Sequence, residues 1–132
     1  MIRMASNKTI ERGATTLPFD TFWTWLQTHP NCIIRAGTPE AVVYDDDDLH
    51  WHFTTEGSES FVVQVFRGKR LVGEVLLAPG DVAYVQGSEG EEDEYVFELI
   101  SETETDRVAA YYFVLSHGYE AKDRVSPGRA VH

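Results

Sequence analysis

The first regular pattern of apolar and polar positions predicts one amphipathic helix near the start of the chain. Aromatic and aliphatic side chains recur over residues 19–26 at the spacing that places them on one face of an α-helix. Thr15 or Thr16 is suited to the N-cap, and Pro18 to the first turn. Pro30 ends the pattern, because the residue before a proline is driven out of the helical region. We therefore expect a short helix that docks its aromatic face on the core.

After this helix the pattern changes to short apolar segments separated by turn residues, which indicates β-strands. The connections are too short for crossover helices, so the strands should form an antiparallel meander and not a parallel α/β sheet. The predicted strands are 32–36, 41–44, 49–54, 60–67, 71–77, 82–86, 94–101 and 108–117.

Three of these segments, 60–67, 94–101 and 108–117, carry apolar side chains on both faces, which is typical of central strands. One short helix cannot cover both sides of so many strands. The sheet must therefore curve into a half-barrel, split into two layers, or present a face to a second copy of the chain. The predicted fold class is α+β, with one N-terminal amphipathic helix followed by a strongly curved antiparallel meander of seven or eight strands.

The length of 132 residues indicates a single domain, 1–132, with polar ends at about 1–13 and 120–132 that we expect to be loose. Cys32 is the one cysteine, so no internal disulfide can form, and we expect it to act as a small buried apolar residue. No secretory signal and no apolar segment of membrane-spanning length is visible in the sequence, which favours a cytoplasmic protein.

Charge is distributed unevenly along the chain. The net charge is −11, and 18 of the 22 carboxylates lie within residues 40–106. Most of this excess is in three runs, 45–48, 89–94 and 102–106, each between apolar segments where loops are expected. Such a charge disfavours binding to nucleic acids and to anionic membranes, which both attract Lys and Arg. It favours steered association with a basic protein surface.

These observations predict a non-catalytic protein-binding module of the interaction or inhibitor type. The sequence holds no complete nucleophile motif and no phosphate-binding loop. The residues that we expect to contact a basic partner are Asp45, Asp46, Asp47, Asp48, Glu91, Glu92 and Asp93. The sheet should also have an apolar face that the helix cannot cover, so a homodimer formed through this face is a further alternative.

A second interpretation involves a divalent transition metal. His50 and His52 are two residues apart on a predicted strand, so both imidazoles would face the same way, and a carboxylate could complete the set of ligands. His117 could supply a third imidazole if the last strand lay beside 49–54.

The pattern His-x-His-x-x-x-Glu, together with a later Pro-Gly-Asp at 79–81, resembles the metal motifs of the cupin family. The resemblance implies that His50, His52 and Glu56 are metal ligands and that the fold is a double-stranded β-barrel. The further histidine that cupins carry after the second motif has no counterpart in 86–90.

Overall fold

The computed structural model describes residues 15–57 and 60–119, in which one α-helix and nine β-strands form an α+β fold. The helix is α1 (Phe19–Leu26), and two short 3₁₀ helices lie at Pro30–Cys32 and Pro79–Asp81. The strands are β1 (Thr15–Leu17), β2 (Ile33–Gly37), β3 (Val42–Tyr44), β4 (Leu49–Glu56), β5 (Ser60–Arg67), β6 (Arg70–Leu77), β7 (Tyr84–Glu89), β8 (Tyr95–Glu102) and β9 (Arg107–Leu115).

The strands form two sheets whose pairings are all antiparallel. The large sheet has six strands in the order β1-β7-β8-β9-β2-β3, and the small sheet has the order β4-β5-β6. The predicted α+β fold class, with an N-terminal helix and antiparallel strands, is confirmed, and of the alternatives for the sheet the structure has two separate sheets. The predicted count of seven or eight strands is approximate, since the described residues form nine. The sheets are open, so the closed barrel implied by the cupin resemblance is wrong: β4, β5 and β6 pair with one another, and no described strand joins them to the large sheet.

The helix fills the space between the two sheets. Phe22 packs on Phe97 of the large sheet, with ring centroids 5.0 Å apart. Trp23 packs on Phe61 of the small sheet, also at 5.0 Å. Each apolar side chain buried in this way contributes roughly 1.5–3 kcal/mol relative to its exposed state. The aromatic face of α1 therefore holds the sheets together.

The three segments with two apolar faces are central strands, as predicted. β5 lies between β4 and β6, and β8 and β9 each have a neighbour on both sides. Val63 and Leu99 line the main core, while Val62 and Ile100 are buried outside it. A strand with apolar residues on both faces is stable in the middle of a sheet, where both faces find cover.

Two local predictions are wrong at the start of the chain. Thr15 and Thr16 do not cap the helix; they belong to β1, which pairs with β7 at the edge of the large sheet. Pro18 is the N-cap, and it makes no side-chain capping hydrogen bond. The β-branched threonines favour the pleated strand, and the proline that follows them sets the extended backbone from which the helix begins.

The predicted strand 82–86 has the wrong bounds, because β7 begins at Tyr84 and continues to Glu89. Gly87 serves close packing here and not a turn: a Cβ at this position would lie 2.8 Å from the ring of Phe97. The predicted loose ends at about 1–13 and 120–132 lie outside the described residues.

Candidate functional site at the acidic end of the large sheet

Two of the three acidic runs lie at the same end of the large sheet. Asp45 donates its backbone N–H to the carbonyl of Ile34 at 2.8 Å, so the run 45–48 lies beside the start of β2. The run 89–94 includes the turn between β7 and β8. The start of β8 pairs with the end of β9, which pairs with the start of β2. Three strand spacings, about 14 Å, separate β8 from β3. We call the runs 45–48 and 89–94 together the acidic end.

The third run, 102–106, lies at the opposite end of the large sheet. It follows β8, whose eight residues extend for roughly 23 Å between the two acidic turns. A single partner surface at the acidic end would not reach the run 102–106 unless it also covered a face of the sheet.

The turn at the acidic end has an unusual backbone. Glu92 and Asp93 have φ values of 42° and 60°, in the left-handed region that side chains disfavour. Backbone hydrogen bonds close the turn, from Gly90 N–H to the carbonyl of Glu94 at 2.8 Å and from Glu94 N–H to the carbonyl of Glu91 at 3.0 Å. The turn therefore holds its carboxylates in a defined arrangement.

A bidentate ion pair connects Glu94, the last residue of this turn, with β2. Arg35 of β2 donates from Nη1 and Nη2 to the two carboxylate oxygens of Glu94, at 3.1 and 3.0 Å. The hydrogen bonds from Arg35 are the main cause that lowers the pKa of Glu94 below its usual 4.5. The same bonds raise the pKa of Arg35. The pair spans β9 and so connects β2 with the start of β8.

A pocket of about 390 Å³ opens beside the turn. Its wall combines carboxylates with aromatic rings and an imidazole, from Glu89, Asp93, Glu94, Tyr95, His117 and Tyr119. The ring of Tyr95 lies against the backbone of Gly118, where a Cβ would be 2.6 Å from a ring carbon. Carboxylates and aromatic faces together are suited to a cationic group.

The seven predicted partner-binding residues are all exposed and all lie at the acidic end. Asp45 accepts a hydrogen bond from Trp51 Nε1 at 2.9 Å. Within residues 15–57 and 60–119, none of the seven forms an ion pair; the two described pairs are Arg35–Glu94 and Arg107–Glu102. The carboxylates of these seven residues thus face solvent. The pairing of Leu49 with Arg67 also brings the basic turn at 67–70 close to the run 45–48.

The predicted metal ligands lie elsewhere, on the small sheet. His50, His52 and Glu56 share the face of β4 that is opposite to buried Trp51, and all three are exposed. The described part of the chain contains no group of three or more His, Cys, Asp or Glu side chains arranged to hold a metal ion. Pro79–Asp81, the second motif of the cupin resemblance, forms a 3₁₀ turn between β6 and β7.

His117 does not join His50 and His52, because the neighbours of β9 are β8 and β2 and not β4. It lies just beyond the end of β9, in the wall of the pocket, and its Nε2 is 3.1 Å from Cys32 Sγ. The sequence interpretation missed this contact between residues 85 positions apart. His29 lies three residues before Cys32 in the sequence, and its ring is 5.2 Å from the ring of His117.

Among the described residues, no helix has the length and apolar character needed to cross a membrane. No family model matches the chain. Neither the search of curated proteins nor the search of solved structures finds a match.

Proposed function

We propose that this protein is a non-catalytic binding module that docks a basic segment of a partner protein at the acidic end. The observation that carries the proposal is the position of the two runs, 45–48 and 89–94, at one end of the large sheet with a pocket beside the second. Clustered charge of one sign steers a partner of opposite charge and accelerates association. The proposal includes a cytoplasmic location for this encounter.

The pocket supplies a place for one basic side chain of the partner. A guanidinium or ammonium group there would meet the carboxylates of Glu89 and Asp93 and the rings of Tyr95 and Tyr119. Carboxylate hydrogen bonds to a cation are about twice as strong as neutral ones, and an aromatic face adds about 0.5–1 kcal/mol at an exposed site. The pocket thus adds specificity to an attraction that charge alone would leave diffuse.

The two runs should contribute unequally. Arg67 pairs with Leu49 in the small sheet, so its charge and those of Lys69 and Arg70 reduce the negative potential near 45–48. In the part of the chain that the structure describes, the basic residue that forms an ion pair with the run 89–94 is Arg35, and its charge is already paired with Glu94. We therefore expect the turn at 91–93 to provide most of the electrostatic attraction.

The test compares two triple variants with the same change in charge. Glu91→Gln/Glu92→Gln/Asp93→Asn removes three charges at the acidic end, and Glu102→Gln/Glu104→Gln/Asp106→Asn removes three at the opposite end. The probe is a fluorescent oligoarginine peptide, whose Kd is measured by anisotropy at low and moderate salt. At up to about 0.5 kcal/mol per exposed charge, the first variant should bind roughly 10-fold more weakly at low salt.

The second triple variant should bind the peptide nearly as well as the unchanged protein. Equal losses in the two variants would mean that net charge alone attracts the peptide, and the docking site would be abandoned. A difference between the variants that disappears as salt rises is the expected signature of steering by exposed charge.

Self-association as a homodimer stays a prediction. The small sheet exposes three large apolar side chains on β6, with exposed fractions of 46% for Leu71, 44% for Val72 and 56% for Leu76. Light scattering after size exclusion measures the mass directly. If the protein is a dimer and the Leu76→Lys variant is a monomer, the interface includes β6. A monomer at every concentration would rule out the homodimer.

A further inference from the structure

A thiol and two imidazoles lie close together at the end of the large sheet that also carries the two acidic runs. His117 Nε2 lies 3.1 Å from Cys32 Sγ, and the rings of His29 and His117 are 5.2 Å apart. Trp25 contacts both rings, with centroid distances of 4.5 Å to His29 and 5.8 Å to His117. Cys32 is partly buried and His117 is exposed, so the thiol and its partner lie at the surface of the protein.

The hydrogen bonds define the tautomer of His117. Its Nδ1 lies 3.0 Å from the carbonyl oxygen of Gly118. A carbonyl oxygen only accepts, so Nδ1 carries the proton and Nε2 presents its lone pair to Cys32. The thiol donates to Nε2, and the carbonyl of Gly118 orients the ring. A nucleophile, a base within hydrogen-bond reach and a group that orients the base are the three parts of an activated nucleophile.

We propose that Cys32 is a nucleophilic thiol with His117 as its base, and that it exchanges with cationic disulfides of low molecular weight. His117 Nε2 takes the thiol proton, and the thiolate attacks one sulfur of the disulfide. The S–S bond of the disulfide breaks as a new S–S bond forms to Cys32. The departing thiolate takes the proton from His117. One thiol and one disulfide are present before and after the exchange, so no other oxidant is needed.

The backbone around Cys32 favours disulfide exchange over acyl transfer. Acyl transfer needs free N–H donors for the developing oxyanion. Cys32 N–H donates to the carbonyl of His29, and Ser116 N–H donates to the carbonyl of Cys32. Ile33 N–H donates to the carbonyl of Pro30, so it is not free either. Disulfide exchange expels a thiolate and requires no such donors.

The charge around the thiol selects the disulfide. His117 lines the same pocket as Glu89, Asp93 and Glu94. These carboxylates repel anionic reagents and attract cationic ones. A disulfide with an ammonium group on each arm is therefore expected to react faster than one with carboxylates.

The experiment follows the mass of the intact protein during reaction with cystamine, a cationic disulfide, at neutral pH. Cys32 is the only cysteine, so each mixed disulfide formed reports on this site. His117→Gln should slow the reaction by about 10-fold, because the base that takes the thiol proton is lost. His52→Gln removes an exposed imidazole on the small sheet and should react at the unchanged rate.

Chemical rescue separates a base from a structural role. In His117→Ala, added imidazole should restore much of the rate, which a purely structural histidine would not allow. The proposal fails if His117→Gln reacts within twofold of the unchanged protein, or if the native thiol reacts no faster than the same protein unfolded in urea. A lack of rescue in a folded His117→Ala would also count against it.

A second experiment tests the preference for cationic disulfides by comparing the reaction rate of cystamine with that of glutathione disulfide, its anionic counterpart. The ratio of the two rates should favour cystamine at low salt and fall as salt rises. Glu89→Gln/Asp93→Asn should reduce the ratio of the cystamine rate to the glutathione disulfide rate, because two of the attracting carboxylates are lost. An unchanged ratio would remove the cationic preference from the proposal.

Discussion

The two turns that flank β8 carry the same kind of charge but are built differently. The turn at 103–106 is closed by its own residues: Thr103 Oγ1 accepts from the N–H groups of Thr105 and Asp106, at 3.3 and 3.0 Å. The turn at 90–94 is closed by its own backbone hydrogen bonds and is in addition fixed to other elements, through the ion pair with Arg35 and the packing around the pocket. Acidic composition alone therefore does not make a site. What distinguishes the acidic end is the other elements that meet there.

The largest expected effect tests whether packing against α1 stabilises the end of the large sheet that carries the runs 45–48 and 89–94. Trp25 is 4% exposed and contacts Phe97, His117 and Tyr119, so Trp25→Ala should lower the free energy of unfolding by about 3–5 kcal/mol. Val108→Ala, at the opposite end and 54% exposed, should change it by less than about 0.5 kcal/mol. Urea unfolding measures both. Similar losses would show that the two ends are supported alike.

A second prediction concerns the close packing behind the pocket. A methyl group at position 118 would lie 2.6 Å from the ring of Tyr95, so Gly118→Ala should destabilise the protein by about 1–3 kcal/mol as the ring is displaced. Gly80→Ala is the matched control, because no atom lies within 4 Å of a Cβ there. If thermal unfolding found the two variants equally stable, Tyr95 would have room to move, and the pocket would be less rigid than its packing indicates.

A third prediction uses pH to separate the ion pairs of the two ends. The pKa of Glu94 is lowered in the folded protein, so its pair with Arg35 stabilises the fold above the usual value of 4.5 and loses this effect as pH falls through the lowered pKa. Glu94→Gln should therefore lower the melting temperature at neutral pH, and the difference from the unchanged protein should shrink as the pH falls below 4.5. Glu102, whose pair with Arg107 has a single contact of 3.8 Å, should give a smaller difference in Glu102→Gln. Identical pH profiles would argue against a special role for Arg35.

Much of the fold could be predicted from the sequence because the pattern of apolar and polar residues within each segment determines its secondary structure. The segment 60–67 has apolar side chains on both faces, and β5 has the same bounds and a central position. β1 could not be predicted in this way, since Thr15–Leu17 is a strand only because β7 lies beside it. Gly87 lies beyond the end of the predicted strand 82–86 but within β7, where a side chain would clash with the ring of Phe97, ten positions away.

The candidate site was predictable only in part. The acidic residues were evident from composition, but which runs share an end follows from strand order, which no local pattern records. The contact between Cys32 and His117 depends on the pairing of β2 with β9. A pattern that is local, such as His50 and His52 on one strand, could be identified easily, yet the described residues around it bring no third ligand.

The smallest expected effect is also the most direct comparison of the two turns, because one substitution should change stability in opposite directions. Glu92 has a φ of 42°, which glycine adopts freely, so Glu92→Gly should stabilise the protein by up to about 1 kcal/mol. Glu104 in the opposite turn lies outside the left-handed region, so Glu104→Gly should destabilise it by about 0.5–1 kcal/mol through the entropy of the unfolded chain. Each variant loses one exposed carboxylate, so the change in net charge cancels in the comparison. Denaturant midpoints that moved the same way would mean that the backbone at Glu92 holds no strain that glycine relieves.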